Sequence, residues 1–270
     1  MVRALFIVVL DALRSLDGVC QCKLPQLGPR RQDPPMPAQA NIYGGREPRD
    51  LALYSLRVAA SIVRVPAGTL RAWTLGRTYS TRSGERHWPA LIKAADRSAG
   101  RLSFTNIVEL HVLSALRGKQ VRVDRIRSAT KFIRDNMEAE HPLADVDTHT
   151  DCIDVYVEYL GRLTNASSAR TDLRPIIERY LERIDRDQTG LARRLFPVTR
   201  DLEIVSPRLV VIDPARRFGR PVLAGGNVET AVIADRLWAG DSTSDLVGDY
   251  GIATDAVEEA VRFENYLRAA

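Results

Sequence analysis

Three cysteines, Cys20, Cys22 and Cys152, are too few for a disulfide framework or a four-cysteine zinc site, and so low a count suits a reducing cytoplasm. Long hydrophobic runs are equally scarce. The apolar run from Ala4 to Leu10 is interrupted by Asp11 and Arg14 and is too short to span a bilayer. No clear small-residue cleavage site follows it, as a secretory signal would require. The Gly225 and Gly226 pair lacks the spaced third glycine and following helix of a dinucleotide site, so no cofactor is expected. The most informative absence is acid: from Leu51 to Gly84 there is no Asp or Glu, yet Arg57, Arg64, Arg71, Arg77 and Arg82 all fall inside this stretch.

What is present is the composition of an ordinary soluble protein: 270 residues, 45% hydrophobic and 27% charged, enough for one large or two to three small domains. The net charge of +5 is modest, so any anionic partner must be argued from where the arginines lie rather than from their total. Residues 1–40 read as a leader and linker that end in the proline-rich KLPQLGPRRQDPPMP, and the physiological chain is expected to start at Met36.

Tyr54 to Trp73, YSLRVAASIVRVPAGTLRAW, reads as two short helices joined by a tight turn. Leu56, Ala59, Ala60 and Val63 give the first an apolar face at helical spacing, and Val65, Leu70 and Trp73 supply the second side of a small core. Ser55 is placed to cap the first helix, and Pro66, fixed near a helical φ, suits the opening of the second. With Leu70 and Trp73 inward, Thr69 and Arg71 face outward, one toward a nucleic-acid backbone and the other toward a base edge. A helical corner with solvated arginines is the competing reading. The basic patch combined with a fitting motif favours DNA.

Arg77 to Phe104 carries turn residues around short apolar pieces, Trp88 to Ile92 and Leu102 to Phe104, the pattern of a β-hairpin wing. Arg82, Arg86, Lys93, Arg97 and Arg101 would add phosphate contacts there; a solvated loop is the alternative. Amphipathic helices are expected from Thr105 to Leu116, from Asp124, and from Asp172 to Ile184, with Ile184 facing inward, and GLARRLFPV suggests a strand ending at Pro197. His111 reads as a packed or surface histidine rather than a ligand. His141 to Asn165 holds β-like runs and a cluster of Asp145, Asp147, His149, Asp151, Cys152 and Asp154. Those carboxylates alternate along a loop with no paired motif elsewhere, so solvated loop acids are the better reading and no metal site is expected.

The last seventy residues read as a compact unit of their own: two short strands, a Gly225–Gly226 hairpin turn, and three short helices capped by Thr230, by Ser242 or Thr243, and by Thr254. Trp238, Tyr250, Phe263 and Tyr266 are more aromatic surface than such a unit easily hides. They lie beside an acidic helix bearing Glu258 and Glu259, which makes them candidate anchors for a basic partner; the competing reading places all four aromatics in the core.

YSLRVAASIVRVPAGTLRAW resembles the MerR-like winged helix-turn-helix. VVIDPARRFGRPVLAGGNVETAVIADRLWAGDSTSDLVGDYGIATDAVEEAVRFE resembles the domain-of-unknown-function family 433. Together they resemble the antitoxin of a VapBC-type pair. The resemblance implies a partner, a PIN-like ribonuclease toxin, and repression of the shared operon through operator DNA. It carries Thr69, Leu70 and Arg71 onto a recognition helix; Pro66 stands at the usual Ser or Thr cap and Val58 replaces a frequent Glu. One such motif reads only a few base pairs, so a homodimer is expected.

The expected architecture is α+β and mainly α. A winged helix-turn-helix occupies residues 41–120, a mixed middle segment 121–204, and a three-helix, helix-turn-helix-like domain with a small β-hairpin 205–270. DNA contacts are expected from Arg57, Arg64, Thr69, Arg71, Arg77, Arg82 and Arg86. Toxin contacts are expected from Trp238, Tyr250, Glu258, Glu259, Phe263 and Tyr266. A stand-alone MerR-like transcription regulator whose C-terminal part dimerises or senses a ligand is the alternative reading; catalysis, a membrane and a metal are not expected.

Overall fold

Strand β1 (Tyr54–Ser55) runs directly into helix α1 (Leu56–Ile62), and the Ser55 hydroxyl accepts the Val58 amide at 3.3 Å, satisfying one of the donors a helix start leaves open. The computed structural model describes Tyr43 and residues 45–82, 84–137, 140–145, 167–200 and 207–269, which belong to one unit. Arg64, with φ of 55°, turns the chain into helix α2 (Ala67–Leu75). Pro66 precedes α2 without a side-chain cap, and its carbonyl accepts the Thr69 and Leu70 amides. Ala59, Ala60, Val63, Leu70 and Trp73 are buried, so the two helices meet on the face their apolar spacing defines.

Gly76 leads into strands β2 (Arg77–Thr81) and β3 (Gly84–Trp88), an antiparallel hairpin in which Arg77 faces Trp88 and Tyr79 faces Arg86. Gly76 has φ of 83°, and a Cβ there would lie 2.7 Å from the Trp88 carbonyl oxygen, so the close approach at the hairpin base requires glycine. Trp88 to Ile92 does not continue as a strand. The Leu91 and Ile92 amides instead donate to the Trp73 carbonyl and tie the hairpin exit to α2. Strand β4 (Arg101–Leu102) pairs with β1, and helix α3 (Phe104–Gly118) follows behind a Ser103–Asn106 capping box.

Helix α3 is buried on nearly every side and is the centre of the fold. Phe104, Ile107, Leu110 and Leu113 are fully buried, each contributing about 1.5–3 kcal/mol relative to exposure. Helix α4 (Val123–Met137) and helix α5 (Ser167–Leu181) follow, with Ile126, Ala129, Ile133, Ile177 and Leu181 in the same core. The helix expected to reach Ile184 stops at Leu181. Ile184 opens strand β5 (Ile184–Arg186), whose partner β6 (Ala192–Leu195) stands where a strand was expected. Residues 146–166, with most of the expected β-like run, lie outside the described residues.

Strand β7 (Val210–Val211) pairs with β8 (Val222–Leu223), and the chain between them passes through a short turn at Arg217–Gly219. Gly225 and Gly226 lie in the turn after β8, which returns the chain so that Leu223 bonds to Val228. Helices α6 (Thr230–Ala239), α7 (Thr243–Tyr250) and α8 (Thr254–Ala269) complete the described chain. Ser242 caps α7, and Gly240 and Gly251 end α6 and α7 in the left-handed conformation. Thr230 and Thr254 do not cap their helices; each is the first helical residue, and the Thr230 hydroxyl donates to the Glu264 carboxylate on α8.

Residues 205–270 do not form a wholly separate unit. Leu223, Ile233, Leu246, Val257 and Ala260 make a small core of their own, but Val210, Ile212 and Phe263 belong to the core that holds α1, α2 and α3. Leu195 and Ile212 exchange both backbone hydrogen bonds, at 3.0 and 2.8 Å, and the Tyr54 hydroxyl donates to the Gly219 carbonyl at 3.0 Å. Buried Arg183 donates to the carbonyls of Phe196, Pro197 and Pro207, satisfying backbone acceptors that the irregular segments leave open.

Candidate nucleic-acid interface

Thr69 and Arg71 are exposed on α2 because their neighbours Leu70 and Trp73 are buried. Across from them, Arg57 projects from the first turn of α1. The two arginines line one open groove of about 440 Å³ that is closed on the far side by Arg97 and the turn at Ser98–Gly100. Arg97 is fixed there by donating to the Leu75 carbonyl at the end of α2, at 3.0 Å. Its turn is closed by Asp96, which accepts from the Ser98 hydroxyl at 2.6 Å and the Ala99 amide at 2.9 Å. The Ser98 hydrogen bond, then that of Ala99, holds the Asp96 carboxyl below its ordinary range, so the acid is engaged within its own turn. Three arginines and the Ser55 end of α1 therefore line one concave surface, a composition suited to phosphate oxygens.

Arg77, Arg82 and Arg86 are exposed on the β2–β3 hairpin and do not line this groove. Arg64 stands elsewhere. Its guanidinium lies 4.0 Å from the centre of the Tyr266 ring on α8, so a residue expected at DNA and one expected at the toxin touch each other. Arg97, expected with the hairpin wing, stands instead in the groove, because the turn that carries it is brought to α1 and α2 by the core.

At the C-terminal surface, Trp238 and Tyr266 are 37% and 38% exposed, and Glu258 is exposed. Trp238 is covered by the Arg268 guanidinium at 3.3 Å, and Tyr250 faces Arg236 at 5.4 Å. Phe263 and Glu259 are corrections to the surface expected there. Phe263 is 3% exposed and packs in the main core; Glu259 is fully buried and ion-paired to Arg200 at 2.9 Å. Both sit on the inner face of α8, one as apolar filling and the other as a carboxylate that burial obliges to pair.

His111 is buried in α3, with Nε2 3.1 Å from the Tyr180 carbonyl oxygen and its ring against Tyr180; burial pushes its pKa down to about 4. Asp145 accepts the His141 amide, while Asp147, His149, Asp151, Cys152 and Asp154 lie outside the described residues. Among the described residues no three His, Cys, Asp or Glu side chains gather as a metal site, and no helix is long and apolar enough to cross a membrane.

The fold and its C-terminal strand-and-helix arrangement define a mainly helical α+β protein, and the family described as Protein of unknown function (DUF433) matches residues 210–263. The chain is 30% identical over 234 residues to a Mycobacterium tuberculosis protein named "Putative antitoxin VapB45", a match covering 78% of this chain and 93% of the relative; the chain belongs to that VapB45-like family. It is also 25% identical over 230 residues to the M. tuberculosis "Uncharacterized protein Rv2308", covering 82% of this chain and 93% of the other. The crystal structure of Rv2018 from M. tuberculosis superposes with a TM-score of 0.58 at 26% identity, over 78% of this chain and 98% of that one.

Proposed function

We propose that this protein is a cytoplasmic antitoxin that binds and neutralises a PIN-like ribonuclease toxin and represses their common operon by binding operator DNA as a homodimer. It is a non-enzymatic regulatory protein. The observation that carries the DNA part is the groove lined by Arg57, Arg71 and Arg97, the first two of which belong to the stretch from Leu51 to Gly84 that contains no acid. In this reading α1 and α2 act as a MerR-like helix-turn-helix, α2 is the recognition helix, and the β2–β3 hairpin is its wing. Arg71 addresses a base edge while Arg57 and Arg97 hold phosphates. Two copies would set their recognition helices about 34 Å apart, or a multiple of that, on an inverted repeat.

Titration of full-length protein on duplexes tiled upstream of its own gene, at several salt concentrations, tests the reading. Arg71→Ala should cost about 1–3 kcal/mol and relax preference at one base pair, whereas Arg57→Ala and Arg97→Ala should weaken all duplexes alike and flatten the salt slope. No binding to any duplex, or an unchanged preference after Arg71→Ala, would refute the assignment. For the toxin, the surface of Trp238, Tyr250, Glu258 and Tyr266 is the expected contact. Co-expression with the product of the adjacent gene should yield a complex that a Glu258→Lys, Trp238→Ala double variant loses.

A further inference from the structure

The β2–β3 hairpin is sorted by chemistry between its two faces. Residues directly opposite in an antiparallel pair share a face, and alternate residues along each strand return to it. The register places Arg77, Tyr79 and Thr81 with Trp88, Arg86 and Gly84 on one side. Thr78, Ser80, Glu85 and His87 fall on the other, and the Thr78 hydroxyl lies 3.3 Å from His87 Nδ1 across the strands. The first face holds both arginines of the paired strands, with Tyr79 and Trp88, and no acid; the one carboxylate, Glu85, is on the opposite side. Within the first face Arg77 is beside Trp88 and Tyr79 is beside Arg86, so charge and ring alternate as a checkerboard.

All of β3 is exposed, and Trp88 is 43% exposed. A two-stranded hairpin with no face on a core is marginally stable alone in water, and a large ring left in solvent on such a hairpin suits a surface that is completed by a partner. Each diagonal of the checkerboard spans about 7–8 Å. The arginine diagonal matches the spacing of successive phosphates along a nucleic-acid strand, and the ring diagonal places two flat apolar surfaces between them, where the sugars lie.

The geometry points to this face as a duplex-DNA backbone contact in which Arg77 and Arg86 hold adjacent phosphates and Tyr79 and Trp88 pack against the deoxyriboses between them. This rests on the operator-binding reading and assigns Tyr79 and Trp88, which no DNA role had included. Polar and aromatic contacts to sugar and phosphate position a protein on DNA without reading sequence, so their loss should lower affinity evenly.

The test compares full-length protein with Trp88→Phe, Trp88→Ala and Tyr79→Ala on the duplex that wild type binds best and on a scrambled duplex. The wild-type minus Trp88→Phe emission isolates Trp88 from buried Trp73 and from Trp238. Duplex should quench that difference signal and shield it from acrylamide. Trp88→Ala and Tyr79→Ala should each weaken both duplexes by a similar factor, on the order of tenfold. Thermal midpoints should stay unchanged because Trp88 is at the surface. Duplex binding that depends on Arg71 while the Trp88 signal and the two alanine variants behave as wild type overturns this inference and leaves the operator reading standing. Trp88 shielding that grows with protein concentration in the absence of DNA overturns it too, by giving the face to a second copy of the chain. If no duplex binds, the operator reading itself falls.

Discussion

Replacing Phe263 by Ala removes a ring that is 3% exposed and packed in the core shared with α1, α2 and α3. The transfer loss and the cavity together should cost about 3–5 kcal/mol, and Phe263→Leu, which keeps most of the volume, about 1.5 kcal/mol. In urea, with a slope of about 2–3 kcal/mol/M, the alanine variant's midpoint should fall by roughly 1–2 M. Trp73 reports the far side of this core, since it is 6% exposed on α2. Its emission and the far-ultraviolet circular dichroism should lose structure together and shift together, because the last helix and the helical pair are held by one core. The reasoning is refuted if the Trp73 transition keeps its wild-type midpoint while circular dichroism shows an earlier partial loss. That result would restore an independent unit at 205–270.

Three further predictions concern buried His111, half-buried His141 and Gly76. His111 is held neutral, with its pKa pushed by burial to about 4 from an ordinary 6.5. The unfolded chain therefore binds the extra proton first as pH falls, and stability should drop between pH 6.5 and 4 by roughly 3 kcal/mol, a slope that His111→Gln should largely remove in denaturant titrations. His141 works in the opposite sense: the Glu109 hydrogen bond raises its pKa, so its contribution is full below the ordinary histidine value and is lost as pH rises through the raised one. Gly76→Ala meets both a φ of 83° and the Trp88 carbonyl oxygen at 2.7 Å, and should cost about 1–3 kcal/mol and shift the hairpin, read as a lower thermal midpoint and altered Trp88 emission.

Helical periodicity made most of the fold legible. Ala59, Ala60, Val63, Leu70 and Trp73 are buried where their spacing puts them, and Ser55 and Ser242 cap the helices they precede. Thr230 and Thr254 do not cap because each stands one position inside its helix, a shift that spacing alone does not resolve, and the Thr230 hydroxyl has an acceptor in Glu264 on another helix. The packing of residues 205–270 meets a related limit of local pattern. Local apolar spacing shows that α8 has a buried side, but not that Val257 and Phe263 on it enter two different cores. At the candidate interface, the absence of acid marked the region, while the meeting of Arg57 and Arg71 with Arg97 depends on tertiary contacts that no spacing encodes. Aromatic residues crowd the C-terminal end of the sequence, but that Trp238 and Tyr266 are each covered by an arginine from another element lies beyond any sequence pattern.

The seat of Phe263 beside the α1–α2 core, with Arg64 resting on Tyr266, also sets an order of events during synthesis. The helical pair that carries Arg57 and Arg71 leaves the ribosome well before α8, yet side chains of α8 help to fill its core. Until α8 has followed, the basic surface is present without part of the packing beneath it.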